Sequence, residues 1–314
     1  MFCKTLPKFN FEGEFAEDLD GPKRAVYNTF WDEIFQMYFE GCGSVVPRFA
    51  PDISYELVCI IGRVALHGYI CSGMFPSRIS KVFIKAMMFS ESSIDDDELV
   101  QGLLDFVTDH EREFLSQCMK KEAFSPEEKE ELLKIASQFG VCSIPSPDTI
   151  YKQLVRIGRC ELSQKSMWAF KPFLEGVNDV SREAIWKNSH EVNIFYNELS
   201  VTAEKVVRCT RVDDEGSLTK SQGTVFGFLR RYMKACNKER INVLYRFFTS
   251  SDIWALKELK VIFHLNIGNL PHMTAHTCSG VIDLPSGGYV GYHDFKTQLD
   301  ALLNNPESWK FRLA

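Results

Sequence analysis

No apolar run in this 314-residue chain is long enough to span a bilayer. The most apolar window, 57–70, is interrupted by Arg63 and His67. The start, Met1-Phe2-Cys3-Lys4, lacks the apolar centre of a signal peptide. Ten cysteines include no Cys-x-x-Cys pair and no Cys/His spacing suited to zinc. Basic runs are equally scarce: Arg230-Arg231 with Lys234 fits an ordinary helix face, so nucleic acid is not an expected partner. Internal repeats and low-complexity tracts are also missing. These absences point to a reduced, intracellular protein, cytoplasmic and/or nuclear, with no membrane partner, metal or cofactor expected. Most cysteines are then small buried hydrophobes.

What is present is a globular composition, 45% hydrophobic and 25% charged, enough to bury a large core and form two lobes. Twenty-five phenylalanines, mostly at helical spacing, predict an aromatic-rich helical core rather than aromatics reserved for ligands. The formal charge of −6 is uneven. Residues 222–314 carry 11 Lys or Arg against 7 Asp or Glu, a net of +4, which leaves −10 for the rest. Such asymmetry suits lobes that attract each other or a charged partner.

Along the chain, 8–15 alternates imperfectly through Phe9, Phe11 and Phe15, as an edge strand would. Asp20-Gly21-Pro22 opens a helix whose expected inner face is Val26, Phe30, Ile34, Met37 and Tyr38, with Gly41 as its stop. A second helix is expected over 53–71 with Tyr55, Val58, Ile61 and Ala65 inward, and His67 on it as a structural histidine. Ile79, Val82, Phe83 and Met87 continue helically, and the acidic patch 92–98 reads as a solvated helix start. Ser125-Pro126-Glu127-Glu128 forms a capping box for a helix that closes at Gly140. Ile150, Leu154 and Ile157 begin another, and short helical patterns follow at 167–174, 182–187 and 203–208. The polar run 211–222 lacks apolar anchors and reads as a linker. Beyond it come two helices (Phe226 to Met233; Ile241 to Phe248), a buried strand at 260–265, a helix through Phe295, Leu299, Leu302 and Leu303, and a closing strand at 309–313. The segment 270–289 is turn-rich, bracketed by Pro271 and Pro285, and holds Cys278 with His276 two residues before it and Asp283 five after.

Three readings of Cys278 compete. It is a buried small residue; or it attacks peptide bonds, as in cysteine proteases; or it exchanges thioesters. Proteolysis needs a base fixed against the sulfur, usually brought from far along the chain. On an extended segment His276 and Cys278 point the same way from neighbouring pleats, a poor geometry for tight activation. Transthiolation asks for less, because an ordinary thiol with a pKa of about 8.5 is already a few per cent thiolate at neutral pH. A small lobe on a linker suits that chemistry, since the cysteine must visit a donor and then an acceptor.

The segment resembles the active-site region of HECT-type ubiquitin ligases, through Leu270-Pro271, Ala275-His276-Thr277-Cys278 and Asp283-Leu284-Pro285. Two extra residues precede the cysteine, and Ser279-Gly280 replaces a frequent Phe-Asn. Residues 225–250 resemble the helix pair that opens the family's C-lobe, followed by Thr249-Ser250-Ser251 where Thr-Gly-Ser/Thr is usual. Gly13-Glu14 through Asp20-Gly21 and Arg24, and the stretch Arg63 to Gly68, resemble parts of the N-lobe. Between about 90 and 145 the segments that form the subdomain for the conjugating enzyme are not found; the short N-lobe is most similar to the minimal, G2/M-phase-specific ligase-like HECT proteins.

The resemblance implies an α+β, bilobal fold: a shortened, mainly helical N-lobe (1–210), a hinge linker (211–222) and a small mixed α/β catalytic C-lobe (223–314). It implies a ubiquitin-protein transferase with Cys278 as thioester nucleophile, and His276 and Thr277 orienting the loop or the incoming carbonyl. Asp283 either helps deprotonate or position the acceptor lysine, or caps nearby backbone N–H groups. Phe311, four from the end, either docks the tail beside the site or packs as a terminal aromatic. The implied partners are ubiquitin, a ubiquitin-conjugating enzyme and a protein substrate with an acceptor lysine. A HECT-derived module that binds ubiquitin or a partner without catalysis is the alternative.

Overall fold

A side chain marks most helix starts in this chain. A computed structural model describes residues 20–181, 185–213, 215–264, 273–277 and 279–305, and it is mostly helical with small sheets. Helix α1 (Asp20–Tyr38) leads into a short hairpin, β1 (Phe39–Glu40) and β2 (Val46–Pro47). Next come α2 (Tyr55–Ser72), α3 (Lys81–Phe89), α4 (Asp96–Phe106), α5 (Asp109–Cys118), α6 (Pro126–Gln138), α7 (Ile150–Arg159), α8 (Phe170–Val180), α9 (Ser189–Leu199) and α10 (Ala203–Cys209). Asp95 with Glu98, Thr108 with Glu111, and Ser125 with Glu128 form reciprocal capping boxes at α4, α5 and α6, each satisfying N–H groups the helix leaves without partners. Gly140, at φ 71°, takes the left-handed turn beyond α6.

The described residues divide into two compact units, one of 31–69 and 75–197, the other of 20–30, 70–74 and 198–305. In the first, Gly62 on α2 and Gly176 on α8 allow two backbones to meet. A Cβ on Gly62 would stand 2.2 Å from the Phe173 carbonyl oxygen, and one on Gly176 would stand 1.9 Å from that of Cys59. The phenylalanine excess goes into edge-to-face packing: the Phe75 ring meets Tyr69, Trp186, Phe195 and Tyr196. Buried among these helices is an ion pair, Lys85 Nζ to Glu98 Oε1 at 2.6 Å, with Asn193 Nδ2 donating to the same oxygen at 2.7 Å. Burial pushes the Glu98 carboxyl up, but these hydrogen bonds and the Lys85 charge outweigh it and hold it below the ordinary range.

The second unit adds β3 (Thr210–Arg211), α11 (Lys220–Ala235), α12 (Lys238–Thr249), β4 (Leu259–His264), β5 (Thr274–His276), β6 (Val281–Pro285) and α13 (Tyr292–Asn304). Its sheet runs β3-β4-β6-β5, with β4 parallel to both neighbours and β5 antiparallel to β6. Leu229, Met233, Leu244, Phe248, Val261, Ile282, Leu284 and Phe295 fill the core. A polar knot joins three helices: Arg240 donates to the Tyr232 hydroxyl at 2.7 Å and pairs with Asp300, which also accepts from Tyr232.

Several expectations need correction. Among the described side chains of α1 the buried ones are Arg24, Tyr27, Asn28, Trp31 and Phe35, while Met37 lies half exposed; the larger aromatics set the phase. Tyr55 points outward. Residues 185–188 are not helical, because the Asn188 side chain accepts the Glu191 N–H at 3.0 Å and starts α9 there. The acidic patch does start a helix, but Glu98 turns inward to Lys85. Within 211–222, Arg211 belongs to β3, Lys220 opens α11 behind a Thr219–Gln222 capping box, and Asp213 pairs with Lys260 at 2.5 Å. Ile262 of β4 is exposed although its neighbours Leu259 and Val261 are buried. The strands expected at 8–15 and 309–313 lie outside the described residues, as do Leu270 and Pro271.

Candidate functional site

The segment read as a turn-rich loop contains a hairpin. Strand β5 pairs with β6 so that Thr274 faces Asp283, Ala275 faces Ile282 and His276 faces Val281. Side chains alternate across a strand, so Thr274, His276 and Asp283 share one face while Ala275, Ile282 and Leu284 share the other. The second face carries the core, with Ile282 and Leu284 fully buried. On the first, His276 is diagonal to Asp283, and the two side chains meet: Nε2 lies 2.8 Å from Oδ2. Thr274 Oγ1 donates to the same oxygen at 3.3 Å. Asp283 Oδ1 is buried and has no hydrogen-bond partner among the described residues. Asp283 is therefore not a loop carboxylate capping backbone N–H groups, as one expectation had it. It sits in a strand and anchors an imidazole.

The connection between the strands is a tight turn. The His276 carbonyl accepts from Ser279 N–H at 3.2 Å and from Gly280 N–H at 3.0 Å, and the Gly280 carbonyl accepts from Lys260 N–H at 2.9 Å. Gly280 has φ 67°, and a Cβ there would come within 3.0 Å of the Glu258 carbonyl oxygen. Thr277 sits in this turn and its carbonyl accepts from the Arg24 guanidinium at 2.8 Å. Cys278 and Phe311 lie outside the described residues.

Arg24 and Asn28 of α1 also reach the end of α12. Arg24 Nε donates to the Thr249 carbonyl at 3.0 Å, and Asn28 Nδ2 donates to the Ser250 carbonyl at 2.5 Å. Ser250 itself is left-handed, with φ 54° and ψ 29°, as helix-ending residues often are.

Of the expected site residues, then, His276 and Asp283 are brought together, and Thr277 occupies the turn beside them. Thr274 and Arg24 were missed as contributors. The alternation of Thr274 and His276 against Ala275 could have revealed the first; nothing local to the motif could have revealed the second, 253 positions away. No family model matches the chain, and no match was found among curated proteins. Among the described residues no helix is long and apolar enough to cross a membrane.

Proposed function

We propose that this chain is a HECT-type ubiquitin-protein ligase, bilobal, working through a ubiquitin thioester on Cys278. The observation that carries the reading is the His276–Asp283 pair, joined at 2.8 Å on the outer face of the hairpin whose turn includes Cys278 in sequence. An imidazole tethered to a carboxylate is held in one orientation. Two departures from the family pattern fit as well. Gly280 stands where asparagine is frequent, and its φ of 67° is a conformation asparagine tolerates. Ser250 replaces a usual glycine and keeps the left-handed backbone that a glycine would adopt without strain.

In the first step the Cys278 thiolate attacks the thioester carbonyl of the ubiquitin-conjugating enzyme. A new C–S bond forms, the old one breaks, and that enzyme's cysteine leaves as thiolate. In the second, a neutral substrate lysine attacks the Cys278 thioester, the amide forms and the Cys278 thiolate departs. The acceptor lysine must lose a proton, since it is mostly charged at neutral pH; in this reading Asp283 helps deprotonate or position it, while His276 orients the loop or the incoming carbonyl.

The test is to incubate the protein with activating enzyme, conjugating enzymes and ubiquitin and resolve it with and without reductant. A reducible ubiquitin adduct that vanishes in Cys278→Ala is expected. Absence of the adduct with every conjugating enzyme tried, or its survival in Cys278→Ala, overturns the proposal.

A further inference from the structure

Two elements far apart in sequence are held by one side chain. We infer that Arg24 is a positioning residue for Thr277, and through it for the thiol chemistry proposed at the residue that follows; the expected effect on activity rests on that proposed function.

Arg24 is only 3% exposed, an unusual place for a cation. Two of its nitrogens donate to backbone carbonyls: Nε to Thr249 at 3.0 Å, and a terminal nitrogen to Thr277 at 2.8 Å. Thr249 is the last residue of α12, where carbonyls lack intrahelical partners and the helix dipole presents its negative end. A cation there is favourable, but capping alone does not require a guanidinium. Asn28, one turn further along α1, caps the adjacent Ser250 carbonyl with a neutral amide. Arg24 differs in having donors fixed in one plane, so that binding Thr249 with one fixes where the other reaches. That second donor fixes the Thr277 carbonyl, the peptide unit that leads into Cys278.

The rest of the turn is tied at other points. Its N–H groups at 279 and 280 close on the His276 carbonyl, and Gly280 is pinned to Lys260. The Thr277 carbonyl accepts from Arg24 instead. Loss of the guanidinium therefore frees one side of the turn while the β5–β6 ladder and its His276–Asp283 pair remain. A lysine at position 24 keeps the charge but has a point donor rather than a fork, so it can serve one carbonyl and not both in register.

The experiment compares the full chain with Arg24→Ala, Arg24→Lys and Asn28→Ala. Each is measured for urea stability, for the rate of Cys278 alkylation by iodoacetamide between pH 6 and 9, read on the Cys278 peptide, and for formation and lysine discharge of the ubiquitin adduct. Asn28→Ala loses a cap on the same helix end and is expected to lower stability with Cys278 rates unchanged. Arg24→Ala is expected to shift the Cys278 alkylation profile and to slow adduct formation on the order of 10-fold or more, with millimolar methylguanidine restoring much of the loss. Arg24→Lys should fall between. Where Arg24→Ala does not fold, Arg24→Lys decides: an alkylation profile and adduct rate equal to wild type overturn the inference. So does an Arg24→Ala protein that folds and alkylates as wild type does, or one whose losses match those of Asn28→Ala at equal stability. A wild-type protein that forms no adduct sinks the ligase reading, and the alkylation profiles still decide the role of Arg24. A wild-type adduct with unchanged Arg24 variants does the reverse.

Discussion

At the scale of single residues, the site turns on Asp283. Its Oδ2 holds both His276 and Thr274, so Asp283→Asn removes the charge without changing the shape. On the proposed ligase chemistry, adduct formation on Cys278 should survive that change, while single-turnover discharge to free lysine should slow on the order of 100-fold. Equal losses in both steps would assign Asp283 to folding instead. Ser250 makes a second prediction. A non-glycine residue in the left-handed region costs about 1–2 kcal/mol, and glycine recovers part of that at the expense of a looser unfolded chain. Ser250→Gly should raise unfolding stability in urea by about 0.5–1 kcal/mol. The sequence shows why these residues matter only in part. His276 and Asp283 stand out as chemistry-bearing types, but reading 270–289 as loop hid the pairing, because prolines and glycines at its ends masked a short alternation within. Arg24 was hidden differently: a search for apolar stripes passes over a buried cation, and its acceptors are backbone atoms that leave no trace in composition.

At the scale of elements, local signals read well wherever a cap was present. The box at Ser125–Glu128 and the stop at Gly140 stand where the sequence places them, because capping is decided by residues within one turn. Phase read less well. The aromatics of α1 permit two inward faces, and only tertiary packing chooses Tyr27, Trp31 and Phe35 over Ile34 and Met37. Burial also reverses the meaning of charge, as in α3 and α4, where Lys85 and Glu98 form a pair with side chains 3% and 13% exposed. Glu98→Gln leaves Lys85 without a counter-charge, and the loss should be about 3–5 kcal/mol in denaturant unfolding. The wild-type pair carries its own pH signature. Because the Glu98 carboxyl is held below its unfolded value, its contribution is complete above about pH 4.3 and is lost as pH falls through the lower folded value. Acid unfolding of Glu98→Gln should accordingly lose less stability across that window than wild type does.

For the whole molecule, cysteine chemistry offers a survey of the fold in one experiment. Of the eight cysteines in the described residues, Cys42 and Cys142 are exposed, and Cys118 and Cys209 are buried. Burial pushes the thiols of Cys209 and Cys236 up to about 11. At pH 8 both should alkylate on the order of 100-fold more slowly than a free thiol with a pKa of about 8.5, and mass spectrometry of the labelled peptides reads each separately. A mixed, mostly helical fold was legible from periodicity. The membership of the second unit was not, because a polar run such as 211–222 looks like a boundary while contributing a strand and a helix start. That membership bears on anyone who wishes to dissect the protein. Cutting at 222 discards β3, the neighbour of β4, and Val206 and Cys209 from the core. It also discards α1, and with it every donor described here for the carbonyls of Thr249 and Ser250. The excised piece would carry a bare strand edge, an open hydrophobic seam and an uncapped helix, three invitations to self-association. Such a fragment is expected to aggregate when purified alone, and a short N-terminal helix supplied in trans is the reagent that should keep it in solution.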